Sequence, residues 1–491
     1  MNTKRYRAVT FAVCLVSLLL AGCTKWLEVD PYDKKLESKV FGSEKEVNKA
    51  LNGLYLQMSH VDLYGSRMTS GTMELLAQRY AVAIEDNLIS NPAKYYTSRY
   101  EYGETSARGV FDAIWTKAYE VIMNTNFFIA KLEATEGVVP ADYKNMMLGE
   151  AYAIKAFLHF DMLRLFGPVY AASPDALSIP YYDKAEAVAQ PLLAASAVAG
   201  KIQNDLDRAL VLLEKDPVKT SGPWLSTTGV DVNDVFYHSF RNRRMNYFAV
   251  KALKARVHMY AGEKREAAAI ADEILSTVDV FFRWTTSGEF TDSKMPDRIF
   301  SREVLFGINV SDMYLRYEAR FSSNITDMSA FYGSLYDNLA YAFNSTVDFN
   351  KESDLRAKNW AMYGYTQDGD YYYTLKFSRL SDSKASFYGF QPLIRKSELY
   401  YMKAEYENCM APISAVRAAR KSSPYSGEGY DDVQLQIEKE YMREFYGEGQ
   451  LFFFFKRLNY RVLRSGTKAG EKISMSEESY IPYLPIKETE N

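Results

Sequence analysis

A chain of 491 residues, 47% hydrophobic and 25% charged, has the composition of a folded protein rather than a disordered or fibrous one. Its formal charge of −3 excludes the strongly basic surface on which a nucleic-acid binder depends. The rings are skewed toward tyrosine, with 39 Tyr against 28 Phe and 5 Trp, so many of them carry a hydroxyl suited to wet surfaces.

The N-terminus reads as a secretion signal over residues 1–22. Lys4, Arg5 and Arg7 form its basic region, and Val9 to Leu20 is an apolar run too short to span a bilayer comfortably. Leu20-Ala21-Gly22-Cys23 then has the form of a bacterial lipobox, with the Cys23 thiol as the expected site of lipidation. Each buried acyl CH₂ contributes about 0.8 kcal/mol, so two or more chains anchor a protein stably. Thr24-Lys25-Trp26-Leu27-Glu28 then reads as a partial acidic export signal. Cleavage before Cys23 removes three cations and leaves the chain more acidic. Cys14 is lost with the signal and Cys23 is lipidated, so Cys409 has no partner for a disulfide.

Residues 23–42 read as a tether. Ser43 and Glu46 resemble a capping box that opens a helix to Met58, with Val47, Leu51, Leu54 and Met58 on one face. Arg79 to Glu104 is polar and rich in tyrosine. Phe111, Ile114, Trp115, Ala118 and Ile122 mark the next helix, with Trp115 expected in the core. The strongest periodicity follows over Tyr143 to Phe166, where Met147, Ala151, Ile154, Leu158, Met162 and Leu165 form one stripe. Asp142 is a candidate cap, and Gly167-Pro168 stops this helix, which is expected at the centre of the fold. Further helices are read over Ala195 to Leu213, Tyr247 to Tyr260 and Lys264 to Leu275, the last two an alanine-rich pair of tetratricopeptide-like form. Phe281 to Phe390 is the least helical part, with a β-hairpin turning at Thr366 to Asp370. Helices return at Leu393 to Asn408, Pro412 to Lys421 and Asp431 to Lys456, and Ile481 to Ile486 is an extended close. Residues 23–491 read as one domain, with helical scaffold at 43–275 and 393–456 and a loop-rich binding region at 281–390.

Catalytic patterns are sparse. His60, His159, His238 and His258 lack metal-ligand spacing, and neither a Gly-x-Ser-x-Gly, a P-loop nor a Gly-x-Gly-x-x-Gly occurs. His159, inside the central helix, reads as structural, and Cys409 as an inert thiol. Glu85-Asp86 and Glu438 with Glu440 are the carboxylate pairs weighed for a hydrolase. No metal or cofactor is expected. Sugars present flat C–H faces and many hydroxyls, so a site for them combines exposed rings with Arg, Asn, Asp or Gln. The loop sets of that kind are Arg79 with Tyr80, Tyr95, Tyr96 and Tyr100; Trp224; Arg283-Trp284; and Asn359-Trp360 with Tyr363. The candidate ligand residues are therefore Arg79, Tyr95, Tyr96, Trp224, Trp284 and Trp360.

Several ordered pieces carry a family likeness. They are the lipobox with Trp26 to Pro31, Ala50 to Tyr55, Ile114-Trp115 with Asn124 and Asn126, and Leu148 to Phe157 through Gly167-Pro168. Lys254 to Val257, Tyr260 to Gly262, Ile394 to Glu398, Met402 to Glu405, and Arg443 to Gly449 continue the series. In these the chain resembles the SusD/RagB family of Bacteroidetes nutrient-uptake outer-membrane lipoproteins. It departs where the family often places an arginine and then an aspartate, since Leu451 and Phe454 stand there.

The resemblance implies a mainly α fold, a helical domain with tetratricopeptide-like pairs and an irregular, loop-rich binding face with a few short strands. It also implies a partner, a SusC-like TonB-dependent outer-membrane transporter, with a glycan or other small nutrient as cargo. The family's ligand residues lie in variable loops, so no motif carries them onto this chain. The reading that follows is a non-enzymatic surface lipoprotein that delivers oligosaccharide. The alternatives are peptide or another nutrient on the same architecture, a carboxylate-based hydrolase, and a pure helical scaffold.

Overall fold

Three helices make the first packing unit: α1 (Glu44–Met58), α2 (Thr105–Ala134) and α3 (Ala141–Phe166). The computed structural model describes residues 40–82, 89–186, 188–228, 235–327, 330–344, 353–366, 369–423 and 432–489. The signal segment, Cys23, most of the tether and Glu85-Asp86 lie outside these residues.

The apolar stripe predicted for α3 understates it. Every side chain from Met146 to Phe166 is buried, as befits a helix with neighbours on all sides. Its four charged residues there are satisfied internally. Glu150 meets Arg241 at 2.5 Å and Arg244 at 3.2 Å, Lys155 meets Asp205 at 3.0 Å, and Arg164 meets Asp161 at 2.8 Å. Gly149 lets α4 (Ala195–Leu212) approach, because a Cβ there would lie 2.7 Å from Leu213. Asp142 does not cap the helix. Pro140 holds the capping position, and Asp142 pairs with Lys215 at 2.9 Å. Ser43 does cap α1, its Oγ accepting the Glu46 N–H at 3.4 Å.

His159 is structural, as expected. Its Nδ1–H donates to the Lys155 carbonyl at 2.9 Å and Nε2 accepts the Tyr182 N–H at 3.1 Å. Burial pushes its pKa down from 6.5 to about 3, so the folded chain holds it neutral. A folded pKa below the unfolded one gives stability that is present above 6.5 and lost as pH falls. Acidifying from pH 7 to pH 5 should therefore cost about 2 kcal/mol through this residue. Denaturant titrations at both pH values check this, and His159→Gln should flatten the slope.

The alanine-rich pair is α5 (Tyr247–Tyr260) and α6 (Lys264–Val278). They are joined by a turn with Gly262 at φ +82°. Asn246 caps α5, accepting the Ala249 N–H at 3.1 Å. Helix α6 packs against α7 (Lys396–Glu407), which packs in turn on α8 (Ala411–Ala419). This is the tetratricopeptide-like stacking expected of the chain.

Two boundaries differ from the sequence reading. Residues 393–395 are not helical. They end a strand, Phe390–Arg395, that pairs antiparallel with Val304–Asn309. The long helix read from Asp431 is two, α9 (Val433–Glu444) and α10 (Leu451–Arg457). Gly447 and Gly449, at φ +74° and +72°, turn the chain between them, and an L side chain rarely adopts that backbone. A Cβ on Gly449 would also lie 2.3 Å from the Met68 carbonyl. The apolar run Leu451 to Phe455 is wholly buried. Lys456 beyond it donates to the carbonyls of Leu165 at 2.8 Å and Gly167 at 2.7 Å, satisfying acceptors left open at the end of α3.

The expected hairpin forms, Trp360–Thr366 with Gly369–Thr374, and Ser334–Leu335 adds a third strand. What ties this irregular block to the C-terminal helices is a buried ionic network. Arg356 reaches Glu440 at 2.7 Å, Glu444 at 3.0 Å and Asp354 at 2.8 Å. Glu448 takes Arg395 and Lys376, each at 2.5 Å, and Arg420 bridges Glu303 and Glu444. One hydrophobic cluster runs from Phe41 to Tyr480 across all these parts.

Candidate functional site

Gln78 is the residue around which the site is assembled. It follows the short helix Thr72–Leu76 in a left-handed backbone, φ +57°. Its Nε2 donates to the Ser98 carbonyl at 2.6 Å, at the end of a helix Pro92–Ser98 that Asn91 caps. Its Oε1 accepts the Gly466 N–H at 3.3 Å. Gly466 lies in the turn of a small hairpin, Val462–Arg464 with Lys472–Ser474. One amide side chain thus fixes two distant segments about its own.

Two hollows open on either side of it, one of about 280 Å³ and one of about 330 Å³. Both are lined by Gln78 and Lys472, so they form one groove. Each is near the small end of organic-ligand sites, roughly 300 Å³. The first is lined by Arg79, Asn338, Tyr341, Glu438, Tyr460 and Arg464, among others. The second is lined by Val82, Tyr95, Ser98, Arg99, Thr467 and Glu471.

The electrostatics of the first hollow centre on two groups. Glu438 accepts from the hydroxyls of Tyr341 at 3.3 Å and Tyr460 at 3.1 Å. Burial pushes its carboxyl above the usual range, and those hydroxyls only partly offset this. Arg79 is only 3% exposed. Its Nη2 donates to the Met442 carbonyl at 2.9 Å, while Nε stands 4.0 Å from Glu74, too far for a hydrogen bond. Among the described residues Nε and Nη1 of Arg79 and Oε2 of Glu74 have no hydrogen-bond partner. Burial lowers the Arg79 pKa and raises that of Glu74 to about 7. A buried guanidinium with two free donors is an expensive arrangement that an incoming acceptor would relieve.

The six sequence candidates separate. Arg79 lines the first hollow as a buried residue, not as a rim residue. Tyr95 lines the second, half-buried, with the Arg99 guanidinium 5.3 Å from its ring centre. Tyr96 meets Tyr95 edge-on at 5.2 Å but is not part of the lining. Trp360 is 8% exposed and packs on Tyr446 at 4.5 Å, so it offers no open face. Trp284 is half-buried between Lys396 at 3.9 Å, Arg420 at 5.2 Å and Tyr400 at 5.6 Å. Trp224 is 44% exposed and lies beside a different hollow. Trp115 is in the core, 3% exposed. The sequence reading missed Gln78, Asn338, Tyr341, Tyr460, Arg464 and Lys472. The short alternation of Val462 to Arg464 and Lys472 to Ser474 about Gly466 and Gly470 was the available signal for the hairpin.

Residues 25–223 match a SusD-like family model described as "Starch-binding associating with outer membrane". A SusD superfamily protein from Bacteroides thetaiotaomicron aligns with a TM-score of 0.69 at 18% identity, covering 91% of this chain and 98% of that one. Over residues 25–223 the chain is thus similar to the SusD-like family, and its fold is that of the solved superfamily structure.

Other likenesses have the same reach. A "SusD-like protein P2" of Formosa agariphila is 22% identical over 484 residues, 96% of this chain and 84% of the relative. A SusD-like carbohydrate binding protein from Bacteroides vulgatus aligns with a TM-score of 0.65 at 16% identity, over 91% and 96% of the two chains. The mainly helical fold is thus that of these solved SusD superfamily structures. No helix among the described residues is long and apolar enough to cross a membrane.

Proposed function

We propose that this SusD-like chain is a lipid-anchored surface protein of the outer membrane that captures an oligosaccharide in the Gln78 groove and passes it to a TonB-dependent transporter. The observation that carries the reading is Arg79, a buried cation with two unmatched donors in a groove lined by tyrosines. A sugar hydroxyl supplies the acceptor that Arg79 lacks, and the ring of Tyr95 suits a C–H face. The lipobox ending at Cys23 supports the anchor, and the description of the matched family supports both starch-type cargo and the outer membrane. The relatives' names support carbohydrate as cargo over peptide. Capture proceeds without turnover. The groove's two carboxyls are divided between its hollows, Glu438 in one and Glu471 in the other, and Glu438 is occupied by the hydroxyls of Tyr341 and Tyr460.

Titration calorimetry against neutral oligosaccharides and oligopeptides, with product analysis of each mixture, tests this. The expected result is saturable saccharide binding with the ligand recovered intact. Tyr95→Ala should weaken it by about 0.5–1.5 kcal/mol, roughly two- to tenfold. Heat from peptides alone, or hydrolysis products, would overturn the reading.

A further inference from the structure

A larger hollow lies elsewhere. It has a volume of about 560 Å³ and lies between α1, the segment around Phe236 to Arg244, and the strand Val304–Asn309. Tyr55, Phe236 and Phe240 give it ring surface, Asn52 and Asn309 give it amides, and Arg243 and Arg244 give it charge.

The charges there do not balance. Arg241 takes Asp216 at 2.7 Å and shares Glu150 with Arg244. Arg244 is further held by Asn52 at 2.5 Å and by the face of Phe236 at 3.7 Å. Arg243 has no such partner. Its Nη2 donates to the Ser386 carbonyl at 2.7 Å, and its guanidinium lies 4.8 Å from the Phe240 ring and 5.8 Å from that of Phe390. Among the described residues no carboxylate comes within ion-pair distance of it. Burial with no counter-ion lowers its pKa, the response of a cation that an added anion would steady.

The backbone beside it is held against its preference. Phe240 has φ +52° and Trp224 φ +41°, a region that bulky side chains rarely occupy. They are tied together, the Phe240 N–H donating to the Trp224 carbonyl at 3.0 Å and the Arg241 N–H to the Pro223 carbonyl at 2.9 Å. Strain of this kind concentrates at ligand sites, where it fixes a geometry. Here it holds the Phe240 ring against Arg243 and leaves Trp224 exposed beside the hollow.

We propose that this hollow is a second binding site, for a saccharide that carries a carboxylate, with Arg243 taking the carboxylate and Phe236 and Phe240 flanking the sugar ring. An arginine fork matches a carboxylate in two parallel bonds, which a neutral hydroxyl cannot reproduce. The site is separate from the Gln78 groove and shares no lining residue with it.

The test uses the full chain in detergent, titrated with trigalacturonate and with its neutral methyl ester. The acid should bind at least tenfold more tightly than the ester, and the difference should shrink as salt rises. Arg243→Gln should abolish that preference. Asn309→Asp, which adds a carboxylate to the lining of the hollow, should weaken the acid more than the ester. Tyr95→Ala, in the groove, should leave the acid's affinity unchanged. Equal binding of acid and ester, no binding of either, an unaffected Arg243→Gln variant, or loss of acid binding in Tyr95→Ala would each overturn the assignment.

Discussion

Replacing Glu440 with glutamine should destabilise the fold by about 3–5 kcal/mol, the usual cost of breaking a buried ion pair from one side. Glu440 is wholly buried and accepts from Arg356 at 2.7 Å, Arg417 at 3.1 Å and Arg443 at 2.5 Å. Burial pushes its carboxyl up, but those three arginines outweigh burial and hold it down, from 4.5 to about 2. That drop alone corresponds to about 3 kcal/mol. Glutamine keeps the shape and removes the charge, so three buried guanidinium groups lose their shared counter-ion. The pH dependence separates this cause from lost packing. A depressed carboxyl stabilises fully above its unfolded pKa of 4.5, and the contribution is lost as pH falls toward 2. The gap between parent and variant in denaturant titrations should therefore be widest above pH 5 and narrow as acid is added. A gap of the same size at pH 3 would mean that shape, not charge, is at issue.

The same network explains which parts of the molecule were legible in the sequence. Helix α3 declared itself because its partners are read from its own periodicity, and the capped start of α1 was local as well. Leu393 to Arg395 were misread because their status depends on Val304–Asn309, a strand about ninety residues away. A helical and a strand reading of so short an apolar run differ only through such a partner. The break between α9 and α10 was written locally, in Gly447 and Gly449, but the apolar run after them concealed it. Trp360 and Trp284 looked like sugar platforms because the sequence marks rings in loops, and it cannot say that Tyr446 or Lys396 covers them. The groove was the least legible part, since its lining comes from residues near 77–99, 338–341 and 438–472. Arg79 and Tyr95 were found because they belong to one tyrosine-rich stretch. Their partners were not, because only the tertiary fold brings them near.

Arg79→Met is the substitution that separates the groove's function from its construction. Most buried arginines in this chain cannot be removed cheaply, because each would strand a carboxylate. Arg79 is different. Among the described residues its side chain makes one hydrogen bond, to the Met442 carbonyl, its nearest acid stands 4.0 Å away, and two of its donors are unmatched. That acid, Glu74, is itself raised to about 7, so it can take a proton when the cation goes. Methionine fills much the same volume without charge. The expected change in stability is within about 1 kcal/mol in either direction. Saccharide affinity should fall by about 1.5–3 kcal/mol, the worth of hydrogen bonds from a charged donor, or roughly ten- to a hundredfold. Thermal unfolding and calorimetric titration of the same sample would show both quantities. A stable variant that still binds with the parent's affinity would remove Arg79 from the site and with it the proposed place of the ligand. A variant that unfolds would show instead that the guanidinium holds the groove together, and Tyr95→Ala would then be the test of where the sugar lies.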